Sequence, residues 1–265
     1  MKKQIFLVVI IVLIISCTKE SIKSENLNLQ GQEVCVPFHF QDTYKFPIIP
    51  GSEEWKLLNS LDKKVNACQI PDDILSTICT HALIETLLNY PLLLDYGAFS
   101  SYQSGFKRIK SENNGFDELY RRDDLFDAMI ERYNFLSFDC KADIYPPFIV
   151  GKAAPLGIAI QTYELFLFQD ELIDNISDDE KNLLFKLVYE KHLAKVEPKF
   201  FTHDKIVSAG ILGKIMYKMD YTPFVEECIK NDGVKSHIEY LQAAPSAIPI
   251  DIITNFAMEY ADTIN

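Results

Sequence analysis

The sequence predicts an all-α fold, and three observations carry that prediction. Apolar residues recur three and four positions apart in short runs, and those runs open at capping residues and close at glycine, asparagine or proline. Strand-type alternation occurs in one place only, residues 33–40, where Val34, Val36, Phe38 and Phe40 share one side and Pro37 restricts the segment to an edge or extended arm. The expected architecture is an irregular helical array or α-solenoid-like bundle of about eleven short-to-medium helices, preceded by that short extended arm.

The chain opens on Lys2 and Lys3 followed by an unbroken apolar run, Ile5 to Ile15, then Ser16 and Cys17, the pattern of a secretory leader. At 1.5 Å per helical residue the run spans only ~16 Å, about half of a hydrocarbon core, so it is too short for a stable membrane span. Ile14, Ile15, Ser16 and Cys17 resemble the lipobox of bacterial lipoproteins. That resemblance implies a signal peptide over residues 1–16 and a lipid, palmitate included, on Cys17. It also implies residence at the outer membrane, because Thr18 stands where an aspartate retains many lipoproteins at the inner one. Residues 18–32 are polar and read as a tether, so residues 17–50 form lipidated cysteine, tether and arm, and residues 51–265 a single helical domain.

Ser52 followed by Glu53 and Glu54 starts the first helix, with Trp55, Leu58, Leu61 and Val65 on one face. Pro71 with Asp72 and Asp73 opens the second, which carries Ile74, Leu75 and Ile78. Thr80 caps a third, with Leu83, Ile84, Leu87 and Leu88 inward. Pro91 starts a fourth, and Ser100 or Ser101 a fifth reaching Ile109. Asn114 and Gly115 break the chain, and Asp123 caps the helix that ends near Leu136. The most apolar stretch, residues 145–168, reads as a loop and then a central buried helix, because Lys152, Pro155, Gln161 and Glu164 exclude a membrane span. Ser177 and Glu180 form a capping box before a long helix to about Lys195. Thr202 caps the next, Thr222 with Pro223 starts another, which Asn231, Asp232 and Gly233 end, and two more follow from Val234 and Pro249.

A formal net charge of -12 and an isoelectric point near 4.9 argue against nucleic acid as a partner, since phosphate binding needs a basic stripe. Beyond Cys17, the cysteines are Cys35, Cys68, Cys79, Cys140 and Cys228. Their spacing fits no metal motif, so buried free thiols are the expectation, with a Cys68–Cys79 bridge as the alternative.

Five histidines, His39, His81, His192, His203 and His237, are the conceivable metal ligands, yet none stands in a metal-binding pattern. His81 and Glu85 lie four apart on one helix, but Ala82 and Glu85 occupy the places where a zinc-protease helix needs glutamate and histidine. His203 beside Asp204 reads as helix-start chemistry. Ser104-Gly105 lacks the glycine and strand of a nucleophile elbow, and Gly210, Gly213 and Lys214 lack phosphate-loop spacing. The acids between Asp170 and Glu180 lack the glycine of a calcium loop, and adjacent Asp123 and Asp124 point apart on a helix. Tyr90, Tyr96, Phe99, Tyr102 and Phe106 form an aromatic group explained by core packing, with stacking on a glycan as the functional alternative.

Trp55 with Leu58, Cys68-Gln69-Ile70-Pro71 with Leu75, Thr80 through Glu85, Asn89-Tyr90-Pro91-Leu92, Gly105-Phe106, and Gly115-Phe116 with Glu118, Leu119 and Arg122 together resemble a group of uncharacterised Bacteroidota lipoproteins. The resemblance implies a source and a location, and no activity. The functional expectation is therefore a lipid-anchored cell-envelope protein that binds another envelope protein or serves structurally, more a non-enzyme than an enzyme, with no cofactor and no metal. A hydrolase assembled from His81, Glu85 and His203, and a glycan-binding accessory of an uptake system using Tyr90, Tyr96 or Tyr102, are the alternatives.

Overall fold

The computed structural model describes residues 40–138, 146–149, 152–196, 198–243 and 246–264. Cys17, Cys35, His39, Cys140, the leader, the tether and all of the alternating segment except Phe40 lie outside them. The fold is all-α: α1 (Glu53–Leu57), α2 (Leu61–Ala67), α3 (Asp72–Leu75), α4 (Thr80–Leu88), α5 (Tyr102–Glu112), α6 (Asn114–Leu119), α7 (Leu125–Phe135), α8 (Leu156–Leu167), α9 (Asp170–Ile173), α10 (Asp178–Ala194), α11 (Ile206–Lys218), α12 (Thr222–Lys230), α13 (Asp232–Tyr240) and α14 (Ala247–Thr263). Among the described residues, 3₁₀ turns at Leu93–Ala98 and Thr202–Lys205 and a two-residue antiparallel ribbon of β1 (Phe148–Ile149) with β2 (Lys152–Ala153) accompany the helices.

The helices are more numerous and shorter than the expected eleven. The first breaks at Leu58, whose ψ of 86° ends α1, because Ser60 starts α2 anew by accepting the Lys63 amide at 3.3 Å. Residues after Pro91 form a 3₁₀ turn in place of an α-helix, and α9 occupies the acidic loop before the capping box. That box forms as expected: the Ser177 hydroxyl accepts the Glu180 amide at 3.3 Å, and the Glu180 carboxylate accepts the Ser177 amide at 2.8 Å. Ser177→Ala should therefore cost about 1 kcal/mol in a urea melt, as loss of an N-cap does.

Buried side chains from Phe40 to Tyr260 form one connected core. Two helices, α8 and α11, run through it, and residues 206–216 of α11 are all buried. Around α11 pack α8, α10, α12, α13 and α14. The α10 and α14 helices lie antiparallel, since Phe185 meets Tyr260 with ring centroids 4.8 Å apart and His192 reaches Thr254 at 2.9 Å. No helix among the described residues is long and apolar enough to cross a membrane.

The end of the arm is fastened along α4. Asp42 accepts the Cys79 amide at 3.0 Å, Phe40 lies 5.2 Å from the His81 ring, and the Tyr44 amide donates to Thr86 Oγ1 at 3.0 Å. Phe40 and Phe46 join the core, so packing begins ahead of Gly51. Cys68 and Cys228 are buried free thiols, each pushed up to about 11 by burial, while Cys79 is disulfide-bonded. The bridge weighed between Cys68 and Cys79 is therefore not made.

Several of the residues around Gln69, Asn114 and Arg122 serve this packing. Gln69 donates to the Glu112 carbonyl at 2.8 Å, and Asn114 clamps Ile70 by accepting its amide at 3.0 Å and donating to its carbonyl at 2.8 Å. Arg122 donates to the carbonyls of Ile78 and Leu75 at 3.0 and 3.2 Å, closing the end of α3. These are the contacts of a folded core and bring no reactive group to the surface.

Candidate functional site

The densest polar constellation lies inside the helices, centred on Glu164 and Lys195, whose side chains are both 0% exposed. Glu164 sits in the last turn of α8, and Lys195 is the C-cap of α10. Lys195 Nζ donates to Glu164 Oε1 and Oε2, each at 2.7 Å, to the Asp204 carbonyl at 2.9 Å and to Ser208 Oγ at 3.0 Å. The Tyr133 hydroxyl donates to Glu164 Oε1 at 2.8 Å. Four acceptors around one nitrogen call for an ammonium, and a carboxylate accepting three hydrogen bonds from two donors is satisfied as an anion. Burial pushes Glu164 up and Lys195 down, and each partner counteracts the other's shift.

The network continues to His192 of α10. Thr254 donates its hydroxyl proton to the Ile250 carbonyl at 2.7 Å, so its oxygen accepts from His192 Nε2 at 2.9 Å. That fixes Nδ1 as the acceptor, with the Ser208 hydroxyl as its donor at 2.9 Å, while Ser208 itself accepts from Lys195. The imidazole is neutral: burial first, then the charges of Lys195 and Lys205, bring its pKa down to about 3. In an unfolded chain the same ring titrates near 6.5, so unfolding takes up a proton below that pH. His192 stabilises the fold fully above about 6.5 and loses that contribution as pH falls toward 3. Between pH 7 and pH 5 the loss is about 2 kcal/mol. Urea melts at the two pH values should show it, and His192→Gln should flatten the difference.

Asp204 links this interior to the surface. Its Oδ2 accepts the Phe201 amide at 2.8 Å, and its carboxylate lies against Gly157 in the first turn of α8, where the helix dipole favours an anion. A second buried pair joins Arg132 of α7 to Glu85 of α4, with the guanidinium 5.4 Å from the Tyr163 ring. A third cation, Lys214, donates to the Phe168 carbonyl at 2.9 Å, closing the C-terminus of α8, and to Asp170 at 3.1 Å.

The residues singled out in the sequence do not converge. His81 Nε2 meets Glu131 at 3.0 Å near the surface, whereas Glu85, one turn on, turns inward to Arg132. His203 is 60% exposed, stacked on Phe201, with its Nε2 3.3 Å from Asp204. His192 and His237 are buried within the helix packing, the latter bonded to the Ile206 carbonyl at 2.9 Å and held below its usual pKa by burial. Tyr90, Tyr96 and Phe106 belong to the core, Tyr102 is half-buried, and Phe99 alone of that group is exposed. Ser104 bonds Ser101, Asp124 accepts the Thr80 hydroxyl, and Gly210 and Gly213 admit Leu241 and Ile238 to α11. Among the described residues no group of three or more histidine, cysteine or acidic side chains is arranged to hold a metal ion.

The Glu164–Lys195 pair escaped sequence reasoning because its members lie 31 residues apart on different helices. One signal was present: Gln161 and Glu164 interrupt the apolar run within residues 145–168, and a carboxylate in such a run demands a buried partner. Comparison with known protein families, with curated proteins and with solved structures finds no match.

Proposed function

We propose that this chain is a lipid-anchored, all-helical module of a bacterial cell envelope that works by binding another protein. The leader ending in Ile14-Ile15-Ser16-Cys17 and the polar residues 18–32 support the anchoring, most consistently at the outer membrane. The observation that carries the binding role is the use made of the ionisable side chains. Glu164, Lys195 and Lys214 are engaged by one another, by neighbouring side chains and by backbone carbonyls, Glu85 is paired with Arg132, and all of them hold helices together. Recognition is then left to the outer faces of the helices.

The test is photo-crosslinking in intact envelopes, with the reactive group placed in turn at exposed positions such as Ile229 on α12, Ile248 on α14 and Leu183 on α10. A discrete adduct with one other envelope protein, confined to neighbouring positions, is the expected result. A chain that stays monomeric from every position contradicts the proposal.

A further inference from the structure

The first three helices differ from all that follow. Neither α1, α2 nor α3 contains a buried residue, whereas each later α-helix buries at least two. Leu57 is 78% exposed, Leu61 48% and Ile49 47%, all within one short stretch. Single exposed leucines are ordinary on a folded protein; three large aliphatic side chains in so short a stretch, two of them on helices of five and seven residues, are a concentration. Trp55, between them in sequence, is partly buried against the core, with Lys64 Nζ 5.2 Å from its ring centroid. Tryptophan under a lysine, flanked by exposed leucines, has the composition of a water–lipid boundary, where the ring lies at headgroup level and lysine stems bend toward phosphate.

Charge gives the direction. Between residues 49 and 67, Lys56, Lys63 and Lys64 balance Glu53, Glu54 and Asp62, so this stretch is neutral in a chain whose formal net charge is -12. Anionic lipid repels the acidic remainder and tolerates this face, so a chain held close to a bilayer turns it downward. The path of the chain brings it there. Residues 18–39 reach at most ~75 Å when fully extended, at ~3.5 Å per residue. The residues that follow at once, Phe40, Asp42 and Tyr44, are fastened to α4, and α1 and α2 come next.

We propose that residues 49–67 are the membrane-facing surface of the domain, with Ile49, Leu57 and Leu61 entering the headgroup region of the bilayer that carries the lipid anchor. The proposal rests on the lipid-anchor reading of Cys17. So few apolar side chains bind lipid weakly by themselves, and the anchor makes the contact effective by keeping the surface at high local concentration. The domain then stands in a fixed orientation, and the helices from α4 onward face away from the bilayer.

Trp55 is the only tryptophan in the chain and reports on this face directly. The full-length anchored protein is reconstituted into vesicles of phosphatidylethanolamine and phosphatidylglycerol with brominated acyl chains. Flotation reads the anchor, and quenching of Trp55 by bromine reads the face. The expected result is flotation with loss of most Trp55 emission, and recovery of that emission in a Leu57→Asp, Leu61→Asp variant that floats equally well. Both positions are exposed, and an unchanged circular dichroism melt shows that the variant folds. Flotation with unquenched Trp55 overturns the proposal and leaves the anchor standing; crosslinks from position 57 to a second copy or another protein would then identify the occupant. If the protein does not float, the anchor reading fails. The proposal, which rests on that reading, then falls with it.

Discussion

Lys195→Met is expected to destabilise the fold by about 3–5 kcal/mol, the largest effect of any single substitution in the network. The change leaves the buried Glu164, in the last turn of α8, with only the Tyr133 hydroxyl as a side-chain donor, in a place with no water contact. It also strips donors from the Asp204 carbonyl and from Ser208. A second change, Glu164→Gln, removes the stranded charge while keeping an oxygen for Tyr133. The double variant should therefore be more stable than Lys195→Met alone, with a coupling of about 2 kcal/mol or more in a denaturant double-mutant cycle. Additive losses would mean that the two side chains do not depend on each other. The buried pair then records specificity of packing more than net stability, because replacing both charges costs less than stranding one.

Gly105→Ala is expected to cost about 3 kcal/mol, since the added methyl meets backbone and cannot displace a flexible side chain. A β-carbon on Gly105 would stand 2.7 Å from Cα of Tyr96 and 2.9 Å from its carbonyl carbon. The turn Leu93–Ala98 would have to lift off α5, breaking the buried bond between the Tyr96 and Thr162 hydroxyls at 3.0 Å. Gly97, in the same turn, supplies the control: a β-carbon there has nothing within 4 Å, so Gly97→Ala should change stability by no more than ~1 kcal/mol. Thermal melts of the pair separate close approach from any general intolerance of the turn.

The helical class was legible because amphipathic spacing and capping residues are local signals. The capping box at Ser177 and Glu180 and the buried helix within residues 145–168 are both present in the structure as read. Helix breaks were less legible. Whether residues 58–60 continue a helix depends on how Trp55 and Val65 pack, which spacing does not encode. Polar partners were least legible of all. Glu85 reads as one half of a surface pair with His81, and only the position of α7 shows that it turns inward to Arg132. Lys195 reads as the last residue of an exposed helix, yet the approach of α8 and α11 buries it. Gly105 reads as part of a failed nucleophile motif, and its reason is the backbone of Tyr96. Each of these depends on residues distant in sequence, so no local pattern announces it.

The proposed envelope location and the proposed membrane-facing surface both rest on Cys17 carrying a lipid. The most direct measurement is metabolic labelling with palmitate in a bacterial host, comparing the wild-type chain with Cys17→Ser, followed by membrane fractionation. Label on the wild type alone, together with release of Cys17→Ser from the membrane fraction, is the predicted result. An unlabelled wild-type chain, or label that persists in Cys17→Ser, would contradict the account.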